Sequence, residues 1–232
     1  MAIRTHPSDG AMTAQSPQLA DDSGARTRLP RSARREQLLE AAHEVFAASG
    51  YHSAAMDEIA VRAGVSKPVL YQHFPSKLEL YLALLERHVD GLVAQVEGAL
   101  NSTTDNRIRV EQVMSAYFDF VDGVGNHSDG AYRLVFESDL RSEPAVSDLV
   151  ERALSRCVKA IAETIAADTG VDEAEAKLLS VGLVGLAEVS ARWWMTSGTT
   201  DDPEARPVSK KRAAELLVSL AWRGLSGSPR HP

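Results

Sequence analysis

Between Ser66 and His73 the chain sets Lys67, Tyr71, Gln72 and His73 beside Ser66, Pro68 and Val69. Cationic and neutral hydrogen-bond donors on so short a stretch match phosphate oxygens and base edges, and Val69 adds an apolar contact group. The surrounding residues say how such a surface is held. Gly64 takes the positive φ that ends a helix, and the Ser66 hydroxyl is placed to cap the next one. Pro68 lies in that helix's first turn, where a missing N–H costs little. Phe74 precedes Pro75 and is pushed out of the α region, while Ser76 and Glu79 have capping-box spacing for a following helix. Leu70 and Phe74, four apart, turn to a core and leave the polar residues outside. The stretch reads as a short recognition helix trapped between two longer ones.

The elements before it complete a three-helix unit. Leu38, Leu39, Ala42, Val45 and Phe46 predict a helix over 32–49 that stops at Gly50. Met56, Ile59, Ala60 and Ala63 predict a second over 56–63, with Asp57 and Glu58 complementing its dipole. Two helices joined by a short Gly-containing turn are the layout of a helix-turn-helix. Ahead of it, residues 1–28 mix Ser, Pro, Gly, Asp and Gln without periodicity and read as a disordered tail. Arg26, Arg28, Arg31, Arg34 and Arg35 then lead into the first helix. They form either an arm for phosphates or a minor groove, or a merely solvated surface.

Charge is unevenly shared. The 232 residues carry a net −7, yet from Arg26 to Lys77 eight basic residues face five acidic ones, and the residues after Lys77 are strongly acidic. A basic module on an acidic body suits a DNA-binding head joined to a regulatory domain.

The remainder predicts an all-α chain with domains at 29–77 and 78–228. A long helix over 77–100 carries Leu78, Leu82, Leu85, Val89, Leu92, Val96 and Leu100 as one stripe and bridges the two. Asp105 caps the next helix, residues 131–140 form a shorter one, and Pro144 opens another that ends at Gly170. Asp172 and Glu175 begin a helix to Met195, in which Gly182 and Gly185 imply either close helix packing or room for a ligand. A last helix covers 209–225. The final two helices either join a second copy in a four-helix bundle or pack on their own chain. No apolar run is long enough to span a bilayer, no export segment is evident, and a cytoplasmic location is expected.

No catalytic constellation is evident. His43 with Glu44, His73, His88 and His127 match no metal-ligand or nucleophile pattern, and the single cysteine, Cys157, has no basic partner. Neither an enzyme nor a metal or resident cofactor is expected. A helical acyl-CoA enzyme is the reading of another class, and it lacks catalytic residues.

From Arg35 to Leu85 the chain resembles the TetR family of transcriptional regulators. The likeness rests on Gly50-Tyr51, Met56-Asp57-Glu58-Ile59-Ala60, Ala63-Gly64-Val65-Ser66, and Leu70-Tyr71-Gln72-His73-Phe74 followed by Ser76-Lys77. It implies an all-α homodimer on double-stranded DNA, with Ser66, Lys67, Val69, Tyr71, Gln72 and His73 facing DNA and Lys77 holding a phosphate. Over most of 28–228 the chain is similar to actinobacterial regulators of fatty-acid-synthesis genes. Ser102-Thr103-Thr104-Asp105-Asn106-Arg107, Tyr132-Arg133-Leu134-Val135-Phe136-Glu137 and Val181-Gly182-Leu183-Val184-Gly185-Leu186 carry that likeness. It implies an effector, a long-chain acyl-CoA, in a tunnel through the C-terminal domain. The candidate lining is Phe118, Val121, Tyr132, Val135, Phe136, Leu183, Leu186, Val189 and Trp193, with Arg133, Arg141 or Arg192 as candidates for the CoA phosphates. Another apolar effector, such as a drug, is the alternative within the same machinery.

Overall fold

Local stops and helical periodicity become eight α-helices among the described residues of the computed structural model, which are 29–122, 134, 139–197 and 207–226. They are α1 (Arg31–Ser53), α2 (Met56–Arg62), α3 (Lys67–His73), α4 (Lys77–Asn101), α5 (Asn106–Asp122), α6 (Pro144–Thr169), α7 (Glu173–Thr196) and α8 (Lys210–Ser226), with a 3₁₀ turn at Asp139–Ser142. The expected tail and nearly all of the expected 131–140 helix lie outside the described residues.

Capping follows the sequence closely. Gly50 breaks α1 at φ 71°, so its last three residues form a separate turn. Gly170 stops α6 in the left-handed region at φ 73°, a conformation that costs a residue with a Cβ. Asp105 accepts from the amides of Arg107 (2.9 Å) and Ile108 (3.3 Å). Asp172 and Glu175 form the full reciprocal capping box of α7. At Ser76 only half of the box exists, its hydroxyl accepting from the Glu79 amide at 3.1 Å. Ser66 occupies the N-cap position of α3 but makes no capping bond, so its exposed hydroxyl remains available to a partner.

The head is closed by α1, α2 and α3 around Leu38, Ala42, Phe46, Ile59 and Leu70, each at most 1% exposed. The Gln37 side chain donates to the Ala63 carbonyl at 2.8 Å and ties α1 to the turn before α3. The same core runs without a break into the body through α4. The buried arc of α4 is broader than one stripe and turned from the expected one. Leu80, Tyr81, Leu84 and Val93 are enclosed, whereas Leu78 and Leu82 are only half-buried, because α4 packs on α1 at its start and between α5 and α6 further on.

The α1–α4 joint is part aromatic and part polar. Phe46, Tyr51 and Tyr81 pack with centroids 5.0–6.0 Å apart, and the Tyr81 hydroxyl donates to the Leu134 carbonyl at 2.8 Å. One turn back along α1 and two turns on along α4, buried His43 and His88 meet Nδ1 to Nε2 at 3.1 Å. Burial, then His43 and then Arg87, push the His88 pKa down to about 3.

A depressed imidazole pKa means the folded chain binds fewer protons than the unfolded one, so its contribution to stability is present above the ordinary value near 6.5 and is lost as pH falls toward 3. Unfolding followed between pH 7.5 and pH 5 should therefore show stability falling by up to about 1.4 kcal/mol per pH unit below 6.5. The His88→Leu chain should show a flatter profile. Parallel profiles for the two would remove His88 as the source.

Candidate nucleic-acid interface and ligand cavity

The turn at Gly64 (φ 62°) and the stop at Phe74, whose φ of −139° and ψ of 97° leave the helical region, deliver α3 with Leu70 and Phe74 inward. Pro68, Tyr71 and Gln72 stand exposed, and Val69 and His73 are half-buried. Lys67 is exposed as well and its Nζ meets Asp57 Oδ1 at 2.7 Å. That hydrogen bond, with the charge of Asp57 behind it, raises the lysine's pKa. Asp57, which the sequence offered only as a dipole partner of α2, thus sits against the first residue of the recognition helix.

At the other end of α3 the start of α1 brings up positive charge. Arg31 is exposed and Arg34 donates to Gln37 Oε1 at 2.7 Å. The Arg35 guanidinium lies 4.7 Å over the Phe74 ring. Burial first, then the charges of Arg31, Arg34 and Arg35, lower the pKa of His73. A neutral imidazole carries one donor and one acceptor and can address a base edge without adding charge. The structure therefore gathers ten of the eleven expected DNA residues about α3.

Lys77 is the eleventh and is placed differently from the expectation that it holds a phosphate. Its ammonium donates to the carbonyls of Tyr51 (2.8 Å), His52 (3.2 Å) and Ala54 (3.0 Å) and lies 4.5 Å over the Tyr51 ring. An ammonium has three protons, and all three go to the turn that ends α1. Lys77 fastens α4 to α1.

In the body, α4, α5, α6 and α7, with Trp222 of α8, line a cavity of about 570 Å³. Val96, Leu100, Val113, Leu154, Ile161 and Leu183 give it an apolar wall, and Asn106, Arg109, Thr164, Asp168 and Thr169 are polar members of its lining. Of the expected lining residues that are described, Leu183 alone is in this wall. Phe118 packs its ring on Trp194 at 5.5 Å and, with Val121, belongs to the core. Leu186 is half-buried beside the cavity rather than in its wall. Val189 and Trp193 are about 60% exposed on the outer face of α7, because the helix turns its cavity-facing residues Leu179, Leu183 and Ala187 the other way. Tyr132, Arg133, Val135, Phe136 and the Arg141 side chain lie outside the described residues, and Arg192 pairs with Glu188 at 3.1 Å. Apolar periodicity had no means of separating wall from core, and Arg109 carried no sequence signal beyond its charge. Burial pushes the Cys157 thiol up to about 11, so it lines the cavity as a protonated, apolar group. Among the described residues no three His, Cys, Asp or Glu side chains are placed to share a metal ion, and no helix is long and apolar enough to cross a membrane.

A basic helix-turn-helix on a helical body with its own cavity is the layout of a DNA-binding regulator. Residues 38–84 match the family model for bacterial regulatory proteins of the tetR family. The chain is 50% identical over 202 residues, 87% of each chain, to the HTH-type transcriptional activator FasR of Mycolicibacterium smegmatis. A TetR-like transcriptional regulator from Rhodococcus sp. RHA1 superposes with a TM-score of 0.63 at 30% identity, covering 87% of this chain and all of the other. The transcriptional regulator FadR of Bacillus subtilis, solved in complex with stearoyl-CoA, shares the fold with a TM-score of 0.58 at 21% identity, over 79% and 97% of the two chains. The chain belongs to the TetR family of transcriptional regulators.

The two lysines make separable expectations. Lys67→Ala should weaken operator binding and reduce the slope of log K against log salt by about 0.9, the value for one lost phosphate contact. Lys77→Met should leave that slope unchanged and instead lower stability by roughly 1–3 kcal/mol, as carbonyls lose a charged donor. Fluorescence anisotropy across a salt series and urea unfolding measure the two effects. A salt slope reduced by Lys77→Met would return Lys77 to the phosphates.

Proposed function

We propose that the chain is a cytoplasmic, non-enzymatic regulator of fatty-acid-synthesis genes, in which residues 29–77 bind DNA and residues 78–228 bind a long-chain acyl-CoA and dimerise. The observation that carries this reading is the largely apolar cavity beside α4 in a chain half identical to FasR. A FadR of the same fold holding stearoyl-CoA is consistent with such an occupant. Phosphate and base contacts would come from Ser66, Lys67, Val69, Tyr71, Gln72 and His73, flanked by Arg31, Arg34 and Arg35.

A second copy is the partner that the outer face of α7 and α8 calls for. Leu178, Val181, Val189 and Trp193 on α7, with Leu216 and Leu220 on α8, are between 46% and 73% exposed. An added Cβ at Gly182 or Gly185 would meet nothing within 4 Å among the described residues. These glycines therefore neither seat a neighbouring helix of this chain nor make room in the cavity. They leave the outer face shallow enough for a helix of another copy, the self-complementary arrangement of a two-fold dimer.

The ligand's route to DNA is α4. Val96 and Leu100 touch the cavity, and Lys77 at the other end of the same helix holds α1. Twenty-five residues make a rod roughly 37 Å long, so a small tilt at the cavity displaces α3. Two recognition helices must stay roughly 34–36 Å apart to enter successive major grooves, and the ligand acts by favouring one pose. The resemblance covers both activators and repressors, so either sign of response meets the proposal.

Operator binding titrated with acyl-CoAs of graded chain length should change in apparent affinity at least tenfold for the longer chains, against little change for acetyl-CoA. Operator binding that ignores every chain length would discard the acyl-CoA reading, and a different apolar molecule released from the denatured purified protein would replace it.

A further inference from the structure

The polar part of the cavity is built around one arginine. Arg109 Nε donates to the carbonyls of Leu100 (2.8 Å) and Thr103 (2.7 Å), and Nη1 donates to Asn106 Oδ1 (2.8 Å) and Asp168 Oδ2 (2.5 Å). Nη2 has no acceptor among the described residues, although the side chain is only 15% exposed. Thr164 and Thr169 share this part of the lining. Tyr117 lies further along α5, roughly 12 Å at helical rise, among Val113, Leu154, Cys157 and Ala187. The cavity is thus amphipathic along its length, apolar around Tyr117 and charged at Arg109.

Such a shape selects an amphiphile and fixes its direction. An acyl chain removes apolar wall from water without needing polar partners. A guanidinium edge with two N–H groups and no acceptor matches the oxygens of a carboxylate or phosphate ester. Asp168, already on Nη1, opposes the arrival of a second negative charge and lowers the affinity of any anion there.

Resting on the reading that an acyl amphiphile enters this cavity, we propose that Arg109 forms an anion subsite for the effector's head, with Asp168 as the carboxylate that limits its strength. The same guanidinium holds the last carbonyl groups around the end of α4, at Leu100 and Thr103. A head drawn onto Nη2 therefore pulls on the helix that leads to the recognition element, whereas a chain without a charged head fills the wall and leaves that grip untouched.

The test uses calorimetric titration of the full chain with palmitoyl-CoA, palmitate and 1-hexadecanol. Asp168→Asn should tighten palmitoyl-CoA by roughly fivefold, the effect of removing one like charge at about 4 Å in a water-screened site, with 1-hexadecanol unchanged. Arg109→Gln should weaken palmitoyl-CoA by at least as much and again spare 1-hexadecanol. Palmitate moving with palmitoyl-CoA would assign the subsite to a carboxylate, and palmitate staying with the alcohol would assign it to the CoA phosphates; either supports the subsite. If wild type binds the three ligands and neither variant alters their ratios, the anion subsite is overturned and the acyl reading stands. If wild type binds none of them, both are overturned.

Discussion

One helix has to serve head and body at once. Leu80, Tyr81, Leu84 and Leu85 near the start of α4 and Leu92, Val93, Val96 and Leu100 further along it are all buried in one continuous core, so no solvated hinge separates head and body. Burial of each of these side chains is worth roughly 1.5–3 kcal/mol, and a tilt that exposed either set would forfeit several such terms at once. The low-energy response to force at one end is to move as a rod. Lys77 makes that response effective, because its ammonium joins the start of α4 to the carbonyls that close α1. The same helix reaches the cavity with Val96 and Leu100, and Arg109 grips the chain where it ends.

What was legible in the sequence follows the range of the interactions involved. The helix-turn-helix is written in neighbours. Gly64, Pro68, Phe74-Pro75 and Ser76 each act within four residues, and the structure keeps the stops they imply, although Ser66 caps nothing. Lys77 was misplaced for the opposite reason. Its acceptors lie more than twenty residues away, and a cation near α3 has the same local sequence whether it faces a phosphate or a folded turn. Asp57 was legible as a dipole partner and illegible as a neighbour of Lys67, since only the turn brings them together.

The cavity exposes a deeper ambiguity. Periodicity reports that a residue is apolar and which side of a helix it shares, while core, cavity wall and protein interface all want apolar residues. α7 contains all three. Ala191 and Trp194 are in the core, Leu179, Leu183 and Ala187 are in the wall, and Val189 and Trp193 face outward. A helix apolar nearly all round is buried on every side in its working state, so the exposed face of α7 was implicit in its composition even though the assignment of Val189 and Trp193 to the wall was not correct.

That three-way use of α7 ties the proposed events together physically. In the proposed dimer the outer face of α7 is fixed against a second copy while its inner face bounds the cavity, so the ligand meets one wall that cannot easily retreat. The opposite wall includes α4, whose far end carries the head and lies away from the proposed dimer face. Displacement from an expanding or contracting cavity is therefore directed into α4 instead of being shared equally among the helices that line it. Linkage then requires that DNA, by favouring one pose of α4, alters effector affinity by the same factor with which effector alters operator affinity. In the proposed mechanism dimerisation contributes to regulation in two ways, by setting the spacing of the two recognition helices and by stiffening the wall against which the ligand works.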